Sequence, residues 1–137
     1  MRKLAAVLAV ALLGATAGAS AQEADTTPPA FEVSAAKRQK VARQGGVRFA
    51  VTCHERCRMG AAAAFRIGRR TYTAPPGEID LEADVQQRFI ARFSPGAIRA
   101  LRKALRTKRY VPVVVSVVVV DAAGNQADRT VTVRAIR

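Results

Sequence analysis

Between Val47 and Cys53 apolar and polar side chains alternate without a break: Val47, Phe49, Val51 and Cys53 fall on one face, Arg48, Ala50 and Thr52 on the other. A repeat of two is the period of a strand with one buried face. The same period governs Val111–Val120, where valine fills every odd position, and Thr130–Arg134, where Val131 and Val133 point inward. Between them Asp121-Ala122-Ala123-Gly124-Asn125 reads as a hairpin turn, with Gly124 placed for positive φ. Fainter strands begin at Phe31 and Val33 and run from Cys57 and Met59 through Ala61–Ala64 to Phe65 and Ile67, alanine being a poor strand former. After Gly68–Arg70 a short strand centres on Tyr72, Pro75-Pro76-Gly77 reads as a turn, and Ile79–Leu81 pairs with Val85–Phe93 as a hairpin about Ala83-Asp84. The basic stretch Lys37–Arg43 has no clear period and reads as a continuation of the strand along the other sheet or as an exposed loop.

One segment changes period. Ser94 is a good N-cap, Pro95 suits the first helical position, and Ala97, Ile98, Leu101, Ala104 and Leu105 recur at helical spacing. The helix predicted over residues 95–108 is about three turns long. About seven short strands with one helical connection before the penultimate strand predict an all-β antiparallel sandwich over residues 30–137. The valine segment adds a constraint, because Val114, Val118 and Val120 make its second face too apolar to stay bare. The apolar stripe of the helix is expected to cover that face, with self-association through the valines as the alternative.

The first residues alter the compartment. Met1-Arg2-Lys3, the apolar run Leu4–Leu13 and the small residues Ala19-Ser20-Ala21 have the form of a secretory signal over residues 1–21, cleaved before Gln22. Residues 22–29, ending in Pro28-Pro29, read as a linker. Export makes a disulfide between Cys53 and Cys57 the default, expected to pin a turn and strand register at the low end of ~2–4 kcal/mol. No later stretch is long and apolar enough for a membrane span. The formal charge of +13 becomes +11 without Arg2 and Lys3, with 21 Lys and Arg against 10 Asp and Glu. Outside the cytoplasm such a charge favours anionic envelope polymers or a membrane surface over intracellular nucleic acid.

Three features resemble the immunoglobulin-like and fibronectin-type-III-like modules of secreted bacterial proteins. They are the lead-in Asp25-Thr26-Thr27-Pro28-Pro29, the pair in Cys53-His54-Glu55-Arg56-Cys57, and Val117–Asn125 with its Asp-x-x-Gly-Asn turn followed by Thr130–Val133. The resemblance spans residues 25–137 and implies a non-catalytic module with no cofactor. Two departures set it apart from the antibody-type pattern: there is no tryptophan, and no cysteine pair is expected to bridge the two sheets.

Candidate chemistry is sparse. Two cysteines and one histidine fall short of the four ligands of structural zinc, and His54 reads as an exposed turn residue with no nucleophile motif beside it. Asp121, Asn125 and Asp128 offer oxygens for calcium, together with Asp25 or Glu78–Asp84, but their spacing suits turn chemistry better. The polar side of the helix, with Arg99, Arg102, Lys103, Arg106 and the following Lys108 and Arg109, is the candidate anion-binding patch. The leading expectation is a structural or adhesive module at the cell surface. The second is a cationic protein that holds an anionic envelope polymer or membrane surface, or a protein partner.

Overall fold

A computed structural model of the chain describes residues 25–137, so the signal reading of residues 1–21 and its cleavage site lie outside the described residues. The valine alternation forms the central strand β7 (Val111–Asp121), and Val111, Val113, Val115, Val117 and Val119 are all buried. On its two sides lie β4 (Cys57–Ile67) and β8 (Gln126–Ala135), both antiparallel to it. Outside them, β5 (Arg70–Leu81) pairs with β4, and the two-residue β2 (Arg38–Gln39) runs parallel to β8. The second sheet has three strands, β1 (Phe31–Ser34), β3 (Gly46–Cys53) and β6 (Gln87–Arg92), with β3 in the middle. The chain is therefore all-β with two sheets, in orders β1-β3-β6 and β2-β8-β7-β4-β5.

The core lies between the sheets. Val47, Phe49 and Val51 of β3 face Met59, Ala63 and Phe65 of β4 and the odd-numbered valines of β7, all buried. Two short helices sit at one end. α1 (Val41–Gln44) stops at Gly45, whose φ of 78° is the left-handed ending that glycine accommodates. Gly46 then packs so closely on β6 that a Cβ would sit 2.3 Å from the Ala91 carbonyl oxygen. α2 (Pro95–Ala104) begins as expected, with the Ser94 Oγ accepting from the Ala97 N–H at 3.2 Å. It ends at Ala104, before Lys108, because the chain tightens: the Arg106 N–H donates to the Lys103 carbonyl and Thr107 N–H to that of Ala104.

Several expectations need correction. Pro75-Pro76-Gly77 is not a turn. β5 runs straight through it, because β5 is an edge strand and the register shifts there between Ala61 and Ala63, a bulge that absorbs the prolines' missing donors. Ile79–Leu81 and Val85–Phe93 do not form a hairpin. Leu81 pairs with Cys57 in one sheet and Gln87 with Val51 in the other, so the chain changes sheets at Glu82–Gln86. Within Lys37–Arg43 the chain continues from β1 as β2 along the other sheet, the first of the two readings, and then enters α1, which brings the strands to eight and the helices to two among the described residues.

The disulfide is formed, but its place differs from the expected one. Cys53 ends β3 and Cys57 begins β4, which belong to different sheets, so the bond ties the sheets together at one corner and sets no ladder register. The helix also does not cover the valine face. Ile98, Leu101 and Leu105 are buried at the end of the core, where α2 packs against α1 and β4, while Val114 is 37% exposed. What half-buries Val118 and Val120 is the surface of their own sheet, since they pair with Gly60 and Arg58 of β4 and with Asp128 and Gln126 of β8.

This arrangement predicts a sharp contrast between neighbours. Val118→Lys should change unfolding free energy by no more than about 1 kcal/mol, whereas Val117→Lys, which buries an unpaired charge, should cost more than about 4 kcal/mol. Chemical denaturation of the two variants checks this, and equal losses would mean that the outer face is covered.

Candidate anion-binding surface

The ladder registers sort the charges along the strands. Cys53, Cys57, Leu81 and Asp121 mark one end, since Cys57 pairs with both Leu81 and Asp121, and α1, α2 and the β4–β5 turn mark the other. Every described acidic side chain lies in the disulfide half. Asp25 and Glu55 gather near Asp121, Glu32 pairs with Thr52, Glu78 and Asp80 pair with Gly60 and Arg58, Asp128 pairs with Val118, and Glu82 and Asp84 follow Leu81. Of the described Lys and Arg residues only Arg56, Arg58 and Arg129 share that half, while Arg48 and Arg88 lie near the waist. All the others cluster at the helix end.

The separation matters because it is long. Eleven residues of β7 span roughly 35 Å, several times the ~8 Å Debye length at physiological salt, so the acids cannot neutralise the cations opposite. Among the described residues the only Lys or Arg in an ion pair is Arg58, 3.6 Å from Asp80 and 3.9 Å from Glu78. The basic end instead uses uncharged partners: Arg134 lies over the Tyr110 ring and Arg70 over Tyr72, and Arg137 donates to the carbonyls of Leu105 and Arg106 just beyond α2.

The six cations anticipated from the sequence are all exposed at this end. Arg99, Arg102 and Lys103 lie on α2, Arg106 on the turn beyond it, and Lys108 and Arg109 on the loop to β7. Arg102 reaches across to α1, its Nη2 donating to the Ala42 carbonyl at 3.4 Å.

A second basic surface was not anticipated. A groove of about 1040 Å³ runs along the outer face of the three-stranded sheet. Arg48 and Arg88 stand on its floor beside Ser34 and Ala50, and Arg38, Lys40 and Arg43 come from the β2–α1 segment that walls it. All five cations are exposed, and no acidic residue lines the groove.

Gln39 holds this wall in place. The pairing of β1 with β3 stops at Ser34 and Ala50, and β1 does not reach Arg48. The Gln39 amide takes over there: its Oε1 accepts from the Arg48 N–H at 2.9 Å and its Nε2 donates to the Arg48 carbonyl at 2.7 Å. The same Nε2 donates to the Ala36 carbonyl at 3.1 Å, and the side chain is only 6% exposed. A side chain thus extends the sheet edge and fixes the cationic segment against it. Arg38, Lys40, Arg43, Arg48 and Arg88 are scattered in the chain. The one available signal was the density of Lys37–Arg43, which lacked a strand or helix period to place it.

The opposite end carries turn chemistry. Asp121 Oδ1 accepts from the N–H groups of Ala123 at 3.0 Å and Asn125 at 2.8 Å, and Gly124 takes φ of 86°. Asn125 Nδ2 donates to Asp121 Oδ2 and to the Asp25 carbonyl, which joins the lead-in segment to the hairpin. Carboxylate oxygens of Asp25, Glu55 and Asp121 lie within 4.8 Å of one another, a grouping that includes Glu55 and omits Asp128 and Glu78–Asp84. His54 is exposed, with Nδ1 3.0 Å from Asp84 and Nε2 3.8 Å from Glu32. An apolar slot of about 470 Å³ also opens between the edge strands β5 and β6, lined by Phe49, Met59, Ile79 and Phe89.

No known protein-family model matches the chain, and a comparison with curated proteins finds no match.

Burial by itself would raise the Asp121 carboxyl, but hydrogen bonds from the Asn125 side chain and from the N–H groups of Asn125, Ala123 and Gly124 hold it below the usual carboxylate value. A carboxyl lowered in the folded state adds stability above its unfolded pKa, about 3.9, and loses it as the pH falls through the folded value. Unfolding at pH 7 and near pH 3 should therefore show a smaller difference for Asp121→Asn than for the natural chain. An unchanged difference would mean that this carboxylate does not contribute.

Proposed function

We propose that this chain is a non-catalytic immunoglobulin-like module, exported from the cell, that binds an anionic polymer of the cell envelope through its basic half. The single observation that carries the binding role is the segregation of charge. Unpaired cations crowd one end while every described acidic side chain lies in the other half. Like charges gathered in this way repel one another and weaken the folded state, and a bound polyanion relieves that repulsion.

The strand orders support the fold assignment. In an immunoglobulin sandwich strands A, B and E share one sheet and G, F and C the other, with C′ added beside C in the variable type. β1-β3-β6 and β8-β7-β4-β5 follow those two orders, with β2 added beside β8 and α2 in the connection between the sheets. Export rests on the sequence of residues 1–21, and the disulfide between Cys53 and Cys57 suits an oxidising compartment.

The competing reading is a structural or adhesive module. The outer face of β7 favours it, since Val114 is exposed there beside a row of alanines and threonines from β4 and β8. The two readings separate in a pull-down on isolated envelope polymer. Binding through the basic half should fall steeply as salt rises from about 0.05 to 0.5 M, because the Debye length shrinks several-fold. Retention that does not respond to salt would contradict the charge-driven role.

A further inference from the structure

The basic half offers a polyanion two surfaces, the convex face of α2 and the concave groove outside β1-β3-β6. We propose that the groove is the binding site and that its ligand is an unbranched, phosphate-rich chain; this rests on the polymer-binding role above. The groove gathers Arg38, Lys40, Arg43, Arg48 and Arg88 from β2, α1, β3, β6 and the short connection before α1, with no acidic residue among them. Arg48 pairs with Ile90, two residues along β6 from Arg88, so the two guanidinium-bearing positions are diagonal neighbours about 7–8 Å apart on one face. Two like charges held so close with no counter-charge form a seat for an anion. Gln39 makes the seat rigid by bonding the wall to the β3 backbone in two places and to the Ala36 carbonyl in a third. The α2 cations have no such walls.

The ligand class follows from what the groove lacks. Four of its five cations are arginines, whose forked donors match the paired oxygens of phosphate. Side-chain acceptors are few, limited to the Ser34 hydroxyl and the glutamine amides, so a hydroxyl-rich acidic sugar would find little to receive its donors. Phe49 and Phe89 border the groove as well as the slot between the sheets, but they stack on each other at 5.5 Å with Phe49 buried and Phe89 half-buried, and so offer little open ring face on which nucleic-acid bases could stack. Ser34, Ala35, Ala36 and Ala50 are small and let a chain approach the sheet closely. A donor-rich, base-free groove fits a backbone that presents acceptors only.

The probe is inorganic polyphosphate of defined length, with affinity measured at fixed salt for the natural chain, for Arg48→Ala/Arg88→Ala and for Arg99→Ala/Arg106→Ala. Each double variant removes two exposed cations. The groove pair should lose about tenfold or more in affinity, as expected when charge-assisted hydrogen bonds are removed. The helix pair should lose no more than about threefold. Thermal unfolding of each variant checks its fold, and Arg38→Ala/Arg43→Ala, which leaves the groove floor of β1, β3 and β6 untouched, should repeat the loss. Equal losses in the groove and helix pairs would overturn the groove while leaving polymer binding intact. Tighter binding of polyglutamate or of a thymidine oligonucleotide of equal charge would overturn the phosphate-chain assignment. Failure of the natural chain to bind any of these polyanions would overturn the polymer-binding role itself.

Discussion

Burial of one face of β7 fixes the long axis of this molecule. Val111, Val113, Val115, Val117 and Val119 are withdrawn from water on a single strand, each worth roughly 1.5–3 kcal/mol when fully buried. The face that turns inward is decided by the neighbours. Even positions include Pro112 and Ser116 and stand beside Thr130, Thr132 and Arg134, whereas odd positions stand beside Met59, Phe65 and Val133. With β7 in the middle of its sheet, β4 and β8 must run antiparallel beside it. The disulfide corner then falls at one end and the two helices at the other. Every other feature of the surface is laid out along this axis.

The charge pattern follows from that layout. A sandwich of strands has two ends and two outer faces, and the charged side chains lie there because the faces between the sheets are closed to them. In this chain the loops and adjoining strand segments of the disulfide half hold aspartate and glutamate. The turn at Gly68–Arg69, the β2–α1 segment and α2 with its following loop hold arginine and lysine. The distance between the ends exceeds the range of screened attraction, so the basic end must find its counter-charge outside the protein or bear its own repulsion. The Gln39 amide shows that part of this cationic surface is held firmly. Its bonds to Arg48 satisfy two backbone groups where β1 has ended, and they anchor the segment that bears Arg38, Lys40 and Arg43.

Much of the framework was legible in the sequence, and what was not has physical causes. Strict alternation marked β3, β7 and β8, and a capped helical stripe marked α2, because each segment has one face that must leave water. The Asp121–Asn125 turn was legible because aspartate and glycine satisfy its backbone locally. Alternation does not say which sheet a strand joins, and so β5 and β6 looked like a hairpin and the disulfide looked like a turn staple. Pro75-Pro76 looked like a turn because the tolerance of an edge strand for proline depends on neighbours that local sequence does not name. The helix stripe found its partners at the end of the core, against α1 and β4, and not on the valine face. The helix half of the basic surface was legible as a run of cations. The groove was not, since residues 38 to 88 meet there only through the fold.

A polyanion drawn along the charge axis should settle in the groove outside β1-β3-β6, away from the disulfide end. Amide hydrogen exchange of the chain, alone and with bound polyphosphate, tests it directly. The account predicts added protection over Arg38–Arg48 and none at Cys53–Cys57 or at Asp121–Asn125. Protection centred on the disulfide end, or spread evenly over both ends, would contradict it.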